Sequence, residues 1–310
     1  MKKIVLAGLI AVLVATAGAS SVRADHDPAN ECLGRTQTIR GTVGNDTIAG
    51  TPRDDVIKGL AGDDTIDGGG GRDVLCGEEG NDVLIGGDGD DSLHGSVGDD
   101  RLDGGAGLDL AFFRSSTVPV TASLLQNSAT GDGTDAFVAL EGLSGSPLND
   151  TLQGDDGDNL LDGLGGNDVL LGGRGIDGLD GDAGNDVLDG GPGIDFVYYY
   201  FAPRGITANL GSRRATGWGT DRLLGIEDLE GSPFNDALTG DARPNVLDGD
   251  RGNDRIAGGG GNDAALGNRG NDSLFGGGGR DRLVGAQGSD RADGGPGRDR
   301  CSAERRRRCP

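Results

Sequence analysis

The chain has 310 residues, of which 64 are glycine; 34% are apolar and 4% aromatic. Its 51 acidic residues outnumber 28 basic ones for a formal charge of -23, and only seven of the acids are Glu. That composition excludes a large helical enzyme with a bulky core, and its sign excludes nucleic-acid binding by bulk charge. Such a chain stays disordered unless something other than apolar burial holds it together.

Residues 1–24 read as a secretory signal peptide. Lys2 and Lys3 start it, Ile4 to Ala17 form an apolar run too short to span a bilayer comfortably, and Val22-Arg23-Ala24 offers a cleavage site. Cleavage leaves 25 basic and 51 acidic residues, a charge of -26. No further apolar stretch predicts a membrane span, so the product is expected to be secreted and extracellular. Residues 25–43 are expected to form an N-terminal cap. Disulfides are permitted outside the cell, and Cys32, Cys76, Cys301 and Cys309 allow three pairings. Cys32–Cys76 with Cys301–Cys309, stapling each end, is preferred; free thiols and other pairings stay open.

From residue 44 a nine-residue step dominates. The first array, 44–111, places Asp46, Asp55, Asp64, Asp73, Asp82, Asp91, Asp100 and Asp109 in phase. The second, 150–197, has Asp150, Asn159, Asp168, Asp177, Asp186 and Asp195. The third, 236–301, has Asp236, Asn245, Asp254, Asp263, Asp272, Asp281, Asp290 and Asp299. The unit is G-G-x-G-x-D-x-U-x, with U a large aliphatic such as Ile57 or Leu84. Intact copies lie 18 apart, at 68–73, 86–91 and 104–109 for example, while intervening units such as Gly77-Glu78-Glu79-Gly80 lose the second Gly. The structural period is therefore expected to be two nonapeptides.

One large apolar residue in nine cannot make a helix face. The x-U-x piece suits a very short strand with U inward, and the glycines reverse the chain through positive φ. Two reversals make one coil, and stacked coils make a flat parallel solenoid with a thin aliphatic core. The fold class expected is all-β: a parallel β-solenoid of 18-residue coils interrupted by two spacers. Stacking also sets Asp on Asp about 5 Å apart, which is repulsive without a cation. A hard divalent ion that takes six to eight oxygens reverses this, and calcium is the cofactor expected. The twenty phased Asp are the candidate metal ligands, and pairing turns 18 apart offers about sixteen sites at most.

These residues resemble the RTX, or haemolysin-type, calcium-binding repeat proteins. The resemblance implies a β-roll holding calcium in its turns through the Asp carboxylates and loop carbonyls. Asn159 and Asn245 depart from the pattern at the ligand, and Ala111, Ala265, Ala292 and Cys301 at the aliphatic.

The spacers, 112–149 and 198–235, are copies: a shift of 86 lays Leu124 on Leu210, Asp135 on Asp221, Glu141 on Glu227 and Gly145-Ser146-Pro147 on Gly231-Ser232-Pro233. They read as longer coils or a hairpin continuing the solenoid. Most aromatics lie here, and Tyr198–Tyr200 with Trp218 read either as plugs in the core or as a carbohydrate-contact patch. The basic end, 302–310, is either a solvated tail or a grip for an anionic wall polymer. His26 and His94 lack partners for zinc or a nucleophile relay. The expected function is a secreted, monomeric calcium binder that folds on its ions and is not an enzyme. The alternatives are a matrix or adhesion protein with cell-surface polysaccharide contacts, and a roll attached to a hydrolase or epimerase.

Overall fold

The computed structural model describes residues 31–309. The leader read at 1–24 and His26 lie outside the described residues. Among the described residues there is no helix; every regular element is a short strand. They fall into two compact units, the first ending at Leu164 and the second starting at Gly165.

In the first unit the chain alternates between two parallel sheets. Strand Val56–Ala61 lies in one sheet, Thr65–Gly70 in the other, Val74–Glu79 back in the first and Val83–Asp88 back in the second. Register is set by Ile57↔Leu75 and Ile66↔Leu84, each partner 18 residues on. The pleat explains which side chains enter. Ile57, Ile66, Leu75, Leu84 and Leu93 are completely buried between the sheets. One aliphatic per half-coil, each worth about 1.5–3 kcal/mol, is a thin core. The β-solenoid expected from the period is thus the fold observed, and the two-nonapeptide coil with it.

The turns explain the glycine pattern. Gly89 has φ +146°, and a Cβ there would lie 1.5 Å from the carbonyl oxygen of Gly71 one coil below. The backbone needs the same reversal where the second Gly is missing: Leu60, Glu78 and Ser96 all take positive φ. Non-glycine residues held there cost about 1–3 kcal/mol each, so something in these turns must hold them.

The spacers are hairpins inserted into one sheet only. In the first, Thr121–Ser123, Ser128–Thr130 and Thr134–Val138 pair antiparallel; Thr134–Val138 joins Arg101–Ala106 in parallel on one side and Thr121–Ser123 joins Thr151–Gln153 on the other. The other sheet runs past without interruption, Leu110–Phe112 pairing directly with Gly142–Ser144.

The second unit repeats this plan. Its hairpin is Thr207–Asn209, Arg214–Thr216 and Thr220–Leu224, joined to Val187–Asp189 and Ala237–Thr239. Tyr198 and Tyr199 are buried here, and Tyr199 donates its hydroxyl to Asp221 Oδ2 at 3.0 Å. The carbohydrate patch is therefore corrected at these two positions, which are buried beside the intact aliphatic Val197 and not offered to solvent. The last residues form a rung, with Arg305–Arg307 pairing with Arg291–Asp293 and Arg308 gripping Asp293 through two bonds of 2.7 Å.

Both preferred disulfides are present, Cys32–Cys76 and Cys301–Cys309. Closing the 44-residue separation of the first restricts the unfolded chain by about 4 kcal/mol on a loop-entropy basis.

Candidate metal centre

The commoner kind of turn, from the first Gly to the phased Asp, is seen at residues 86–91. There Asp91 is buried and its Oδ1 accepts the N–H of Asp73 at 2.8 Å. The N–H of Asp91 in turn donates to Asp109 Oδ1 at 2.8 Å. This ladder runs along both edges, from Asp46 to Asp64, Asp82 and Asp100, and from Asp55 to Asp73, Asp91 and Asp109. The second unit has a ladder of its own, from Asp236 to Asp254, Asp272 and Asp290, and from Asn245 to Asp263, Asp281 and Asp299. Asp168 and Asp177 donate likewise to Asp186 and Asp195.

The other carboxylate oxygen is the chemically informative one. Oδ2 of Asp64, Asp73, Asp82, Asp91, Asp100 and Asp109 is buried with no hydrogen-bond partner. So is Oδ2 of Asp186, Asp254, Asp263, Asp272, Asp281, Asp290 and Asp299. A buried anionic oxygen left without a donor is costly. Carbonyl oxygens converge beside it: a Cβ on Gly86 would lie 2.4 Å from Asp91 Oδ2 and 2.5 Å from the carbonyl oxygen of Gly104. Gly68 stands in the same relation to Asp73 and Gly86, and Gly258 to Asp263 and Gly276. No side chain fits in that space, and what faces it is oxygen. Among the described residues no three carboxylate, imidazole or thiol side chains gather at one point. The donor set is one carboxylate plus backbone carbonyls, which suits a hard oxygen-seeking cation.

Titration reflects the same strain. Burial first, then the neighbouring carboxylates, push Asp82, Asp100 and Asp109 up to about 7. The same causes take Asp254 to about 8. Asp55 behaves oppositely: burial raises it, but the hydroxyl and N–H of Thr51 and the hydroxyl of Thr38 outweigh that and hold it below the ordinary value.

Asp55 belongs to a second kind of turn. The N–H and hydroxyl of Thr51 both donate to Asp55 Oδ2 at 2.7 Å. Thr42 closes Asp46 Oδ2 in the same way, at 2.6 and 2.9 Å. The N–H of Ser146 closes Asp150 Oδ2 at 2.5 Å, and that of Ser232 closes Asp236 Oδ2 at 2.7 Å. At the two Asn positions the N–H of Asp155 reaches Asn159 Oδ1 and that of Asp241 reaches Asn245 Oδ1. The Asn amides then donate to the carbonyls of Glu141 and Glu227.

The two kinds are separated by one backbone angle, that of the residue four before the phased position. In the six closed turns it is Thr42, Thr51, Ser146, Asp155, Ser232 or Asp241, none at positive φ. In the other sixteen it has positive φ, whether Gly69 and Gly87 or Leu60, Ser96, Asp182 and Ala286. Negative φ points the N–H at the carboxylate and positive φ turns it away.

The ladder also recruits carboxylates off the nine-residue phase. Asp100 donates to Asp135 Oδ1, Asp109 to Glu141, Asp186 to Asp221, Asp195 to Glu227 and Asp290 to Glu304. The spacer duplication marks the first four in the sequence, since Asp135 maps on Asp221 and Glu141 on Glu227; Glu304 carries no such signal.

A parallel β-roll whose glycine turns hold buried carboxylates among carbonyls is a calcium-binding structural scaffold, a class distinct from catalytic folds. The chain belongs to the family described as RTX calcium-binding nonapeptide repeat (4 copies), which matches residues 40–75, 77–111, 144–179, 177–197, 230–265 and 266–301. No curated protein matches the chain significantly.

Proposed function

We propose that this is a secreted, monomeric calcium-binding protein whose arrays at 44–111, 150–197 and 236–301 fold on their ions, with 112–149 and 198–235 as built-in spacers. The observation that carries this is the row of buried Oδ2 atoms facing carbonyls. Calcium, when bound, supplies the positive charge those oxygens require. The chain's own part is to orient oxygens, exclude side chains with glycine and keep each Asp tied to the next coil through Oδ1. Extracellular calcium would then stabilise the folded state by mass action, while a calcium-poor cell interior leaves the chain unfolded and exportable.

The ions belong to the sixteen positive-φ turns. Asp46, Asp55, Asp150 and Asp236, with Asn159 and Asn245, sit in turns whose own N–H groups already neutralise the acceptor. Counting bound calcium by equilibrium dialysis tests this. Asp91→Asn is expected to lose calcium relative to the wild type. Asp55→Asn is expected to keep the wild-type number and to lose about 1 kcal/mol of stability from a weakened hydrogen bond. Equal calcium loss in both variants would remove the distinction; full retention in Asp91→Asn would remove the ligand assignment itself.

A further inference from the structure

The second spacer holds a cleft of about 630 Å³ beside its hairpin. Leu210, Leu223 and Ile226, all buried, give it an apolar floor. Arg213 and the segment 240–243 form its rim. The volume falls in the range of small-molecule sites, and the lining sets three apolar side chains beside the charged groups of Arg213, Asp241 and Arg243.

The protein contains its own comparison, because the first spacer is a copy at a shift of 86. Three lining positions lose bulk in the second copy: Leu125 becomes Gly211, Phe137 becomes Leu223 and Ala139 becomes Gly225. Three others move toward positive charge: Asn127 becomes Arg213, Gly157 becomes Arg243 and Asp156 becomes Ala242. Divergence at the lining thus removes bulk at three positions and moves three others toward positive charge, in a chain of charge -23.

The two arginines are not equivalent. Arg243 is occupied: it pairs with Glu227, its Nε donates to Asp241 Oδ2 at 3.0 Å, and it donates to the carbonyl of Ile226 at 3.1 Å. That bracing fixes one wall. Arg213 is exposed and has no ion-pair partner among the described residues. The adjoining turn, Asp241 to Asn245, is one of the six closed ones, so the cleft is not part of the calcium sites.

We propose that this cleft is a binding site for a small carboxylate with an apolar body: the carboxylate meets the Arg213 guanidinium and the body lies on Leu210, Leu223 and Ile226. A planar guanidinium is well matched to a carboxylate, and a charge-assisted pair of this kind discriminates strongly against a neutral analogue. A hydrocarbon acid and a sugar acid both present this chemistry.

The test uses the full calcium-loaded chain and amide chemical-shift titration, with cyclohexanecarboxylate and glucuronate in separate arms and cyclohexylmethanol as neutral control. Saturable shifts at the amides of Gly211, Arg213 and Gly225 are expected with at least one acid, and the arm that saturates identifies the source. The neutral control is expected to bind at least tenfold more weakly. Arg213→Asn, which installs the first copy's residue, is expected to weaken the acid at least tenfold. Gly211→Leu does the same for shape; its Cβ would meet nothing closer than Asn209 Oδ1 at 3.3 Å. It is expected to abolish binding. Should it fail to fold, Arg213→Asn decides alone. The proposal is overturned if neither acid saturates, if the neutral control binds equally, or if Arg213→Asn leaves affinity unchanged. Calcium content, measured in parallel, separates failure of this site from failure of the roll.

Discussion

Stripped of calcium, the protein is expected to gain stability as the pH is lowered from 8 to about 5. The groups responsible are the turn carboxylates. Burial and neighbouring charge raise Asp82, Asp100, Asp109 and Asp186 to about 7 and Asp254 to about 8. In the unfolded chain each titrates near its ordinary value of 3.8. Between those values the folded state binds more protons than the unfolded state, so stability falls as pH rises from about 4 to about 8. One such shift formally corresponds to about 4 kcal/mol. Discounted fourfold for screening and mutual relaxation, five groups still contribute roughly 5 kcal/mol, comparable to the whole stability of many domains. With calcium bound the slope reverses, because protons then compete with the ion for the same oxygens. Urea unfolding at several pH values, with and without calcium, checks both slopes. Two curves of the same sign would refute the electrostatic reading of the turns.

The second large effect comes from glycine. Gly89→Ala places a Cβ 1.5 Å from the Gly71 carbonyl oxygen, at φ +146°. No side-chain rotation relieves a clash with backbone, so the coils must separate and the bond from the Gly71 N–H to the Asp88 carbonyl, 2.8 Å, is lost. We expect a loss of at least about 4 kcal/mol, among the largest single-residue effects. Gly278→Ala is the matched control, since its Cβ would meet nothing within 4 Å. It is expected to change stability by less than about 1 kcal/mol. Thermal unfolding in saturating calcium compares them, and equal destabilisation would show that close coil contact is not what selects glycine at residue 89.

The coil was legible because its two determinants are strictly local: a period of nine and one aliphatic per period. Ile57 and Leu75 are spaced to meet, and they do. The division of turns was legible only in part. Pro52, Pro147 and Pro233 follow Thr51, Ser146 and Ser232, and a residue before proline is driven to extended, negative-φ backbone. Thr42 is β-branched and resists positive φ. By contrast Ser96, Asp182 and Asp250 carry capping side chains yet take positive φ. Composition does not reveal that; the orientation of the peptide within the coil decides it. Tyr199 was ambiguous for a similar reason, since its hydroxyl partner, Asp221, lies 22 residues away across the spacer hairpin.

On the function proposed, the acidic turns hold together because a divalent ion sits among their oxygens. Far-ultraviolet circular dichroism at pH 7.5, on the full chain dialysed against chelator and then titrated with calcium or magnesium, tests it most directly. The β signal is expected to be lost in chelator, to recover cooperatively with calcium and to recover little with magnesium, which demands a smaller, more rigid shell. An unchanged β spectrum and an unchanged melting transition in chelator would contradict it.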